Sequence, residues 1–215
     1  MTAHLKIDFV SDIACPWCII GLRALEEAVA RAADVLDVEI VFQPFELNPA
    51  MPAGGQNIGE HIAEKYGSTR EQSAANRAMI VERARDLGFT MAMTDASRIY
   101  NTFDAHRLLH WAQIEGRQAA LKHALFTANF TDNADLGDPR VLVDAATRAG
   151  LDPVAAEDVL RSGRYADEVR SAEELWRARG INAVPAIVID DRHLISGGQP
   201  VEVFEQALRR IAAAG

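Results

Sequence analysis

The sequence predicts an α/β fold in which one small sheet unit is interrupted by a large all-helical insertion. Three observations carry this. The first fifty residues read strand, helix, strand; residues 57–179 show helical periodicity with turn breaks and no strand-like run of β-branched residues; after Gly180 two short strands and a closing helix follow. The flanking pieces can complete one sheet, so 1–56 with 180–215 form the outer unit and 57–179 the inserted one. The length agrees: 215 residues, at roughly 150 per domain, is one large domain or one domain carrying an insertion.

In order along the chain, Leu5, Ile7 and Phe9 alternate with Lys6, Asp8 and Val10, a strand with at least one buried face. A loop from Ser11 leads into Cys15-Pro16-Trp17-Cys18, and an amphipathic helix follows with Cys18, Leu22, Leu25 and Val29 on its core stripe. Pro16 suits the first helical position, where a missing N–H costs nothing. A second strand covers 38–43, and Pro44, Pro49, Pro52, Gly54 and Gly55 mark the exit from the first unit. In the helical block, Ser68 to Glu71 has capping-box spacing, and Asp152-Pro153 reads as a cap followed by proline. Trp111, Phe126, Phe130 and Trp176 read as its core. Past Gly180, Val184-Pro185 precedes a strand at 186–189, a turn at Asp190-Asp191-Arg192, a strand at 193–196 and a turn at Gly197-Gly198. The last helix is expected to bury Val203, Phe204, Ala207, Leu208 and Ile211.

Composition narrows function. With 49% hydrophobic and 25% charged residues the chain buries a real core. Its 22 Lys+Arg against 31 Asp+Glu give a net charge of −9, unsuited to a general nucleic-acid role or an anionic membrane surface. No apolar run is long enough to span a bilayer, and the N-terminus lacks the basic and apolar regions of a signal peptide, so a cytoplasmic location is expected. Two cysteines do not make a disulfide-stapled scaffold.

Those two cysteines carry most of the functional information. The thiolate is the reactive form of cysteine, and the N–H groups and dipole of a helix start favour it. With Pro16 at the first helical position, Cys15 is the cap, its sulfur placed to accept from the amides of Trp17 and Cys18. Cys18 lies on the apolar stripe and should be the more buried thiol. That asymmetry suits disulfide exchange, in which an exposed Cys15 attacks and Cys18 resolves the mixed disulfide. Two structural cysteines, or half of a zinc site, are the competing readings. Zinc needs a second ligand pair, and the six histidines are scattered, so no metal is expected. His106 and His110 share a helix face without a metalloprotease pattern.

Strand, C-P-W-C, helix and a late Val184-Pro185 before a hairpin together resemble the thioredoxin fold, with a cis proline beside the redox pair implied at Pro185. The helical insertion resembles the DsbA family. Ser11-Asp12 before the motif, Gly21, Pro44 to Pro49, Asn101-Thr102, Ala105 to Leu108 and Ile195 to Pro200 are similar to its FrnE-like branch, related to the 2-hydroxychromene-2-carboxylate isomerases. The resemblance implies a thiol–disulfide oxidoreductase with Cys15, Cys18 and Pro185 in catalysis. It also implies a substrate cleft between insertion and outer unit, lined by Trp17, Val184, Phe45 and Asn101. It implies no bound cofactor, with glutathione as a possible co-substrate, and a buried proton-transfer acid for which Asp8 and Asp12 are the candidates. The alternatives are a glutathione-dependent isomerase or transferase acting on a small aromatic compound, whose relatives generally lack the paired cysteines, and a non-enzymatic partner-binding module.

Overall fold

The structure, a computed structural model, describes residues 2–214; Met1 and Gly215, the ends of the predicted outer unit, lie outside it. Strand β1 (Ala3–Ser11) leads through a short loop to helix α1 (Pro16–Arg31), which returns the chain to β2 (Leu36–Pro44). β1 and β2 pair in parallel from Ala3↔Leu36 to Ser11↔Pro44. The chain re-enters the sheet much later with β5 (Ala186–Ile189), antiparallel to β1, and β6 (His193–Ser196), antiparallel to β5. The strand order is β2-β1-β5-β6. The 190–192 hairpin turn works because Asp190 and Asp191 adopt positive φ, and Lys6 N–H donates to Asp190 Oδ1 at 2.9 Å.

The sheet is covered on both faces, and the alternation in β1 shows how. Ile7 and Phe9 point into the main core with Cys18, Leu22 and Leu25 of α1 and with Phe204 and Leu208 of the last helix, α9 (Val201–Ala214). Val10, in register with Ala186, belongs to a second cluster with Phe45, Val188, Trp176 and Ile181. Asp8 and Val10, on the face that alternation left open, are therefore buried as well. Val203, expected in the core of α9, is exposed; Val201, Phe204 and Leu208 are the buried positions, because the face packed on α1 starts at the first residue of the helix and recurs at spacings of three and four, which turns 203 outward.

Between the halves lie α2 (Ile58–Tyr66), α3 (Arg70–Asp86), α4 (Phe103–Ile114), α5 (Gln118–Phe130), α6 (Pro139–Arg148), α7 (Pro153–Ser162) and α8 (Ala166–Ala178). Asp152 caps α7, accepting from Ala155 N–H, with Pro153 at the start. The capping box of α3 falls one residue later than the sequence suggests, on Thr69 and Gln72, because Thr69 holds the extended cap conformation. Two short strands, β3 (Gln56–Asn57) and β4 (Arg98–Ile99), pair antiparallel within this region. At two residues each they are too short to leave a period. The insertion does not keep a core apart: Leu108, Trp111, Leu125, Phe126 and Val159 join the same cluster as Ile7 and Phe9. Helix α5 is fastened to the sheet unit at both ends. Gln118 brackets Phe42 on the edge strand, accepting from its N–H at 3.0 Å and donating to its carbonyl at 2.9 Å, and Asn129 donates to the Ile13 carbonyl at 3.0 Å. Among the described residues no helix is long and apolar enough to cross a membrane.

Candidate redox site

Cys15 caps α1 in extended conformation, with Pro16 in the first turn, and its carbonyl accepts from Cys18 N–H at 3.0 Å. No acidic side chain sits in that turn to oppose the positive end of the helix dipole. Two expectations are corrected here. The Cys15 sulfur accepts no capping hydrogen bond from the helix amides, and Cys15 is buried, 4% exposed, not open on the surface. The cause is the same for both: the sulfur turns across the helix start and donates to the Val184 carbonyl at 3.7 Å.

The segment carrying that carbonyl comes close because of two glycines. The Val184–Pro185 peptide is cis. A Cβ on Gly21 would lie 3.1 Å from both Gly198 Cα and Pro185 Cγ, and a Cβ on Gly198 would lie 3.0 Å from the Trp17 carbonyl oxygen. Side chains at either position would push the proline segment away from α1. Gly198, read from sequence as a turn residue, thus also serves close packing.

Cys18, one turn into α1, is fully buried. Burial pushes its thiol well above the ordinary range, and the hydrogen bond to Cys15 pushes the same way. It rests as a protonated thiol. The two cysteines are not joined in this structure.

Of the two candidate acids, Asp12 borders the pair and Asp8 does not. Asp8 faces away toward Gln43 Nε2, at 2.6 Å, and Lys6 Nζ, at 3.1 Å. The Asp12 backbone carbonyl accepts from Cys15 N–H at 3.2 Å. Its buried carboxylate accepts from Leu47 N–H at 2.7 Å and lies 3.6 Å from His106 Nε2. Burial acts to raise the Asp12 carboxyl, but His106 and the Leu47 amide outweigh it and hold it below the usual carboxylate range. His110, on the same helix, packs at a tilt against Tyr165 with ring centroids 5.1 Å apart and does not join the site. Among the described residues no group of three His, Cys, Asp or Glu is arranged to hold a metal ion.

Of the buried charged residues that sequence reasoning missed, Lys122 stands apart because it has no ion partner among the described residues. Lys122 of α5 is fully buried, with no hydrogen-bond partner for Nζ. Its ammonium lies 5.0 Å from the Phe126 ring centroid and 5.7 Å from that of Phe42. Burial brings its pKa down from 10.5 to about 8, while Cys18, Asp12 and Cys15 act in the opposite direction. The signal was present: Lys122 follows Gln118 by four and precedes Phe126 by four, so a lysine stands on the core stripe of its helix.

A cavity of about 910 Å³ opens at Cys15. Cys15, Trp17, Phe45 and Val184 line it from the sheet unit, and Ile62, Ile80, Tyr100 and Phe130 from the insertion. Trp17 is backed by Arg83, 5.4 Å from its ring centroid. Cys18 and Pro185 lie behind this wall. Asn101 does not line it: its Oδ1 accepts from Phe103 N–H at 2.9 Å and its Nδ2 donates to the Pro49 carbonyl at 3.3 Å, so it fixes the start of α4 while neighbouring Tyr100 takes the wall. The charged lining is Lys65, Arg77, Arg98 and Arg177 against one carboxylate, Glu46. Burial raises the Glu46 pKa, the nearby Glu173 carboxylate adds to this, and Arg170 bridges the two acids in opposition. A protein of net charge −9 therefore presents a basic cleft.

The family model described as a DSBA-like thioredoxin domain matches residues 6–209. The crystal structure of a probable DsbA oxidoreductase from Streptomyces coelicolor is 37% identical, with a TM-score of 0.92, and the match covers 98% of this chain and 91% of that one. The uncharacterized protein YwbO of Bacillus subtilis is 28% identical over 209 residues, 97% of this chain and 96% of that one. The cytosolic disulfide reductase DsbM from Pseudomonas aeruginosa, in its structure with GSH, shares the fold at 15% identity, with a TM-score of 0.64 over 95% of this chain and 98% of that one.

Proposed function

This chain belongs to the DSBA-like thioredoxin family, and from that premise we propose that it is a dithiol–disulfide oxidoreductase working through Cys15 and Cys18. The Cys15 thiolate attacks a substrate disulfide; a Cys15–S–S–R bond forms, and the other half leaves as a thiolate that takes up a proton. Cys18 then gives up its proton and attacks the Cys15 sulfur, releasing R–SH and leaving the Cys15–Cys18 disulfide. Two electrons have passed from the pair to the substrate. A thiol pool restores the dithiol by the same steps reversed. Deprotonation of Cys15 also frees the Val184 carbonyl to accept from a substrate amide, as in strand-like peptide recognition.

The observation that carries this reading is the split between the thiols: Cys15 lines the cleft, and Cys18 is sealed behind it with its pKa raised. The cleft supports a small or extended substrate over a folded protein. Its four cations and single carboxylate suit glutathione, which carries two carboxylates and one ammonium. The glutathione-bound structure of DsbM supports the same co-substrate, and that protein's description as cytosolic supports a cytoplasmic location here.

A glutathione-dependent isomerase or transferase is the second reading, favoured by the aromatic and aliphatic cleft wall. Cys18→Ser separates the two. For an oxidoreductase this variant traps glutathione on Cys15 as a mixed disulfide and stops turnover of oxidised glutathione. Undiminished activity of Cys18→Ser on a small aromatic substrate, with no trapped adduct, would favour the isomerase.

A further inference from the structure

We propose that Arg177, in the last turn of α8, is the carboxylate anchor of the cleft: it takes the glycine carboxylate of glutathione and so selects small disulfides with an anionic group one residue beyond the reacting sulfur. The proposal rests on the redox reading above and deepens it by naming the side chain that recognises the substrate.

The four cations of the cleft are not equivalent. Lys65 Nζ donates to the Leu47 carbonyl at 3.0 Å and to Asn48 Oδ1 at 2.6 Å. Arg77 pairs with Asp95. Arg98 donates to the Gly54 carbonyl at 2.9 Å and to the Gly55 carbonyl at 3.0 Å. These three fasten the cleft wall. Arg177 is exposed, and its side chain makes no hydrogen bond or ion pair among the described residues. Its guanidinium lies over the Phe45 ring, 5.2 Å from the centroid. Phe45 is itself buried, so the ring is a fixed platform. A ring accepts no conventional hydrogen bond, so the N–H fork stays open. A carboxylate matches that fork with two parallel bonds.

Position selects the carboxylate. Cys15 Sγ lies 3.7 Å from the Val184 carbonyl, Val184 packs in one cluster with Phe45, and Phe45 carries Arg177. Ile181 N–H donates to the Trp176 carbonyl at 3.1 Å, which folds the following residues back on the last turn of α8. Those residues, Asn182 and Ala183, are exposed and line the same cleft. A ligand cysteine exchanges both of its backbone bonds with Val184 alone only in antiparallel pairing. In parallel pairing its carbonyl would need an N–H from the next residue, and Pro185 has none. Antiparallel pairing sets the residue after the ligand cysteine beside Ala183 and Asn182, and the residue before it beside Pro185, which lies behind the wall. In glutathione the residue after cysteine is glycine, so its carboxylate is the one directed to the Arg177 side.

No covalent step is added. The thiol exchange is the one given above, and Arg177 holds the carboxylate while Cys15 attacks. A neutral disulfide gains nothing from the anchor, and a cationic one meets an unpaired guanidinium. A cation in the last turn of α8 also suits the negative end of the helix dipole. That structural role would act on every substrate alike, whereas an anchor distinguishes a free carboxylate from the same group esterified.

The test uses the full chain in its reduced form. It measures the second-order rate at which oxidised glutathione, its glycine diethyl ester and hydroxyethyl disulfide each oxidise the Cys15–Cys18 pair. The unaltered protein should react about tenfold faster with the acid than with the ester, the scale of one charge-assisted contact. In Arg177→Gln the acid should slow to the rate of the ester, while the ester and hydroxyethyl disulfide react as before. Arg179→Gln removes the same charge from the same helix end outside the cleft, and should keep the acid-to-ester ratio of the unaltered protein. A ratio unchanged in Arg177→Gln overturns the proposal; so does an equal loss in Arg179→Gln, which would make the effect one of general surface charge. Each ratio is taken on one folded protein, so a change in stability does not move it. Failure of all three disulfides to oxidise the pair in the unaltered protein would instead overturn the redox reading itself.

Discussion

Cys15 opens on a cleft of about 910 Å³ ringed by Lys65, Arg77, Arg98 and Arg177, while Cys18, one helical turn further on, is sealed among packed side chains. The two thiols are chemically the same and share a helix. What separates them is what the rest of the chain lays against each. The front is walled by the cis-proline segment and the first half of the insertion, and it is shaped to admit a ligand. The back is closed by α5, clamped at Gln118 and Asn129, and it leaves Cys18 no opening to solvent. One insertion builds both environments, so the helical block is part of the site and not an appendage to it.

The sharpest way to break that comparison is to remove one thiol at a time. Cys18→Ser should abolish turnover of oxidised glutathione and accumulate a mixed disulfide on Cys15, seen by mass spectrometry of the intact protein. Cys15→Ser should abolish turnover without any adduct. If both variants form adducts equally, the front and back positions are interchangeable and the split has no chemical meaning.

Next in size is the stability conflict at Lys122. Its pKa is lowered from 10.5 to about 8 in the folded protein. The unfolded chain binds more protons between those values, so stability rises with pH across that window. Below pH 8 the fold bears the full penalty, on the order of 3 kcal/mol. Lys122→Met should therefore be more stable than the natural protein at pH 7 in urea unfolding, with the gain shrinking from pH 8 toward 10.5. A less stable Lys122→Met would show that the ring contacts outweigh the buried charge.

A third change acts on the join between front and back. Gly198→Ala places a methyl 3.0 Å from the Trp17 carbonyl and 3.3 Å from Gly21 N. Overpacking of this kind costs about 1–3 kcal/mol, or roughly 2–10 °C in Tm for a chain of this size. The same variant should slow the first step, because the Val184 carbonyl is displaced from Cys15. An unchanged Tm and an unchanged first step would show that the proline segment is not held by this contact.

The smallest effect is expected at Asn101. Asn101→Ala removes the side chain that accepts from Phe103 N–H at the start of α4, about 1 kcal/mol. Turnover should change less than in Tyr100→Ala, since Tyr100 lines the cleft and Asn101 does not. The reverse order would return Asn101 to the wall.

The sheet unit was legible in the sequence because its signals are local. Leu5, Ile7 and Phe9 alternate, Pro16 marks the helix start, and Asp190-Asp191 marks the hairpin. Residues that work by long-range packing were harder to read. Trp17, Phe45 and Val184 come to one cavity from three separate segments, whereas Asn101 and Tyr100 differ by a single position whose direction no periodicity could assign. The inward turn of the Cys15 sulfur depends on a carbonyl 169 residues away. The basic character of the cleft is hidden by the overall negative charge, since Lys65, Arg77, Arg98 and Arg177 come from different elements. Lys122 was visible as a charge on an apolar stripe, but only the fold puts α5 behind Cys18.

The central claim is that Cys15 faces the cleft and Cys18 is sealed, and alkylation tests it most directly. The reduced protein is treated with iodoacetamide under native conditions, and labelling of the peptides bearing Cys15 and Cys18 is followed in time by mass spectrometry. Cys15 should be modified at least tenfold faster, with Cys18 labelled only after unfolding. Equal rates, or faster modification of Cys18, would contradict the account.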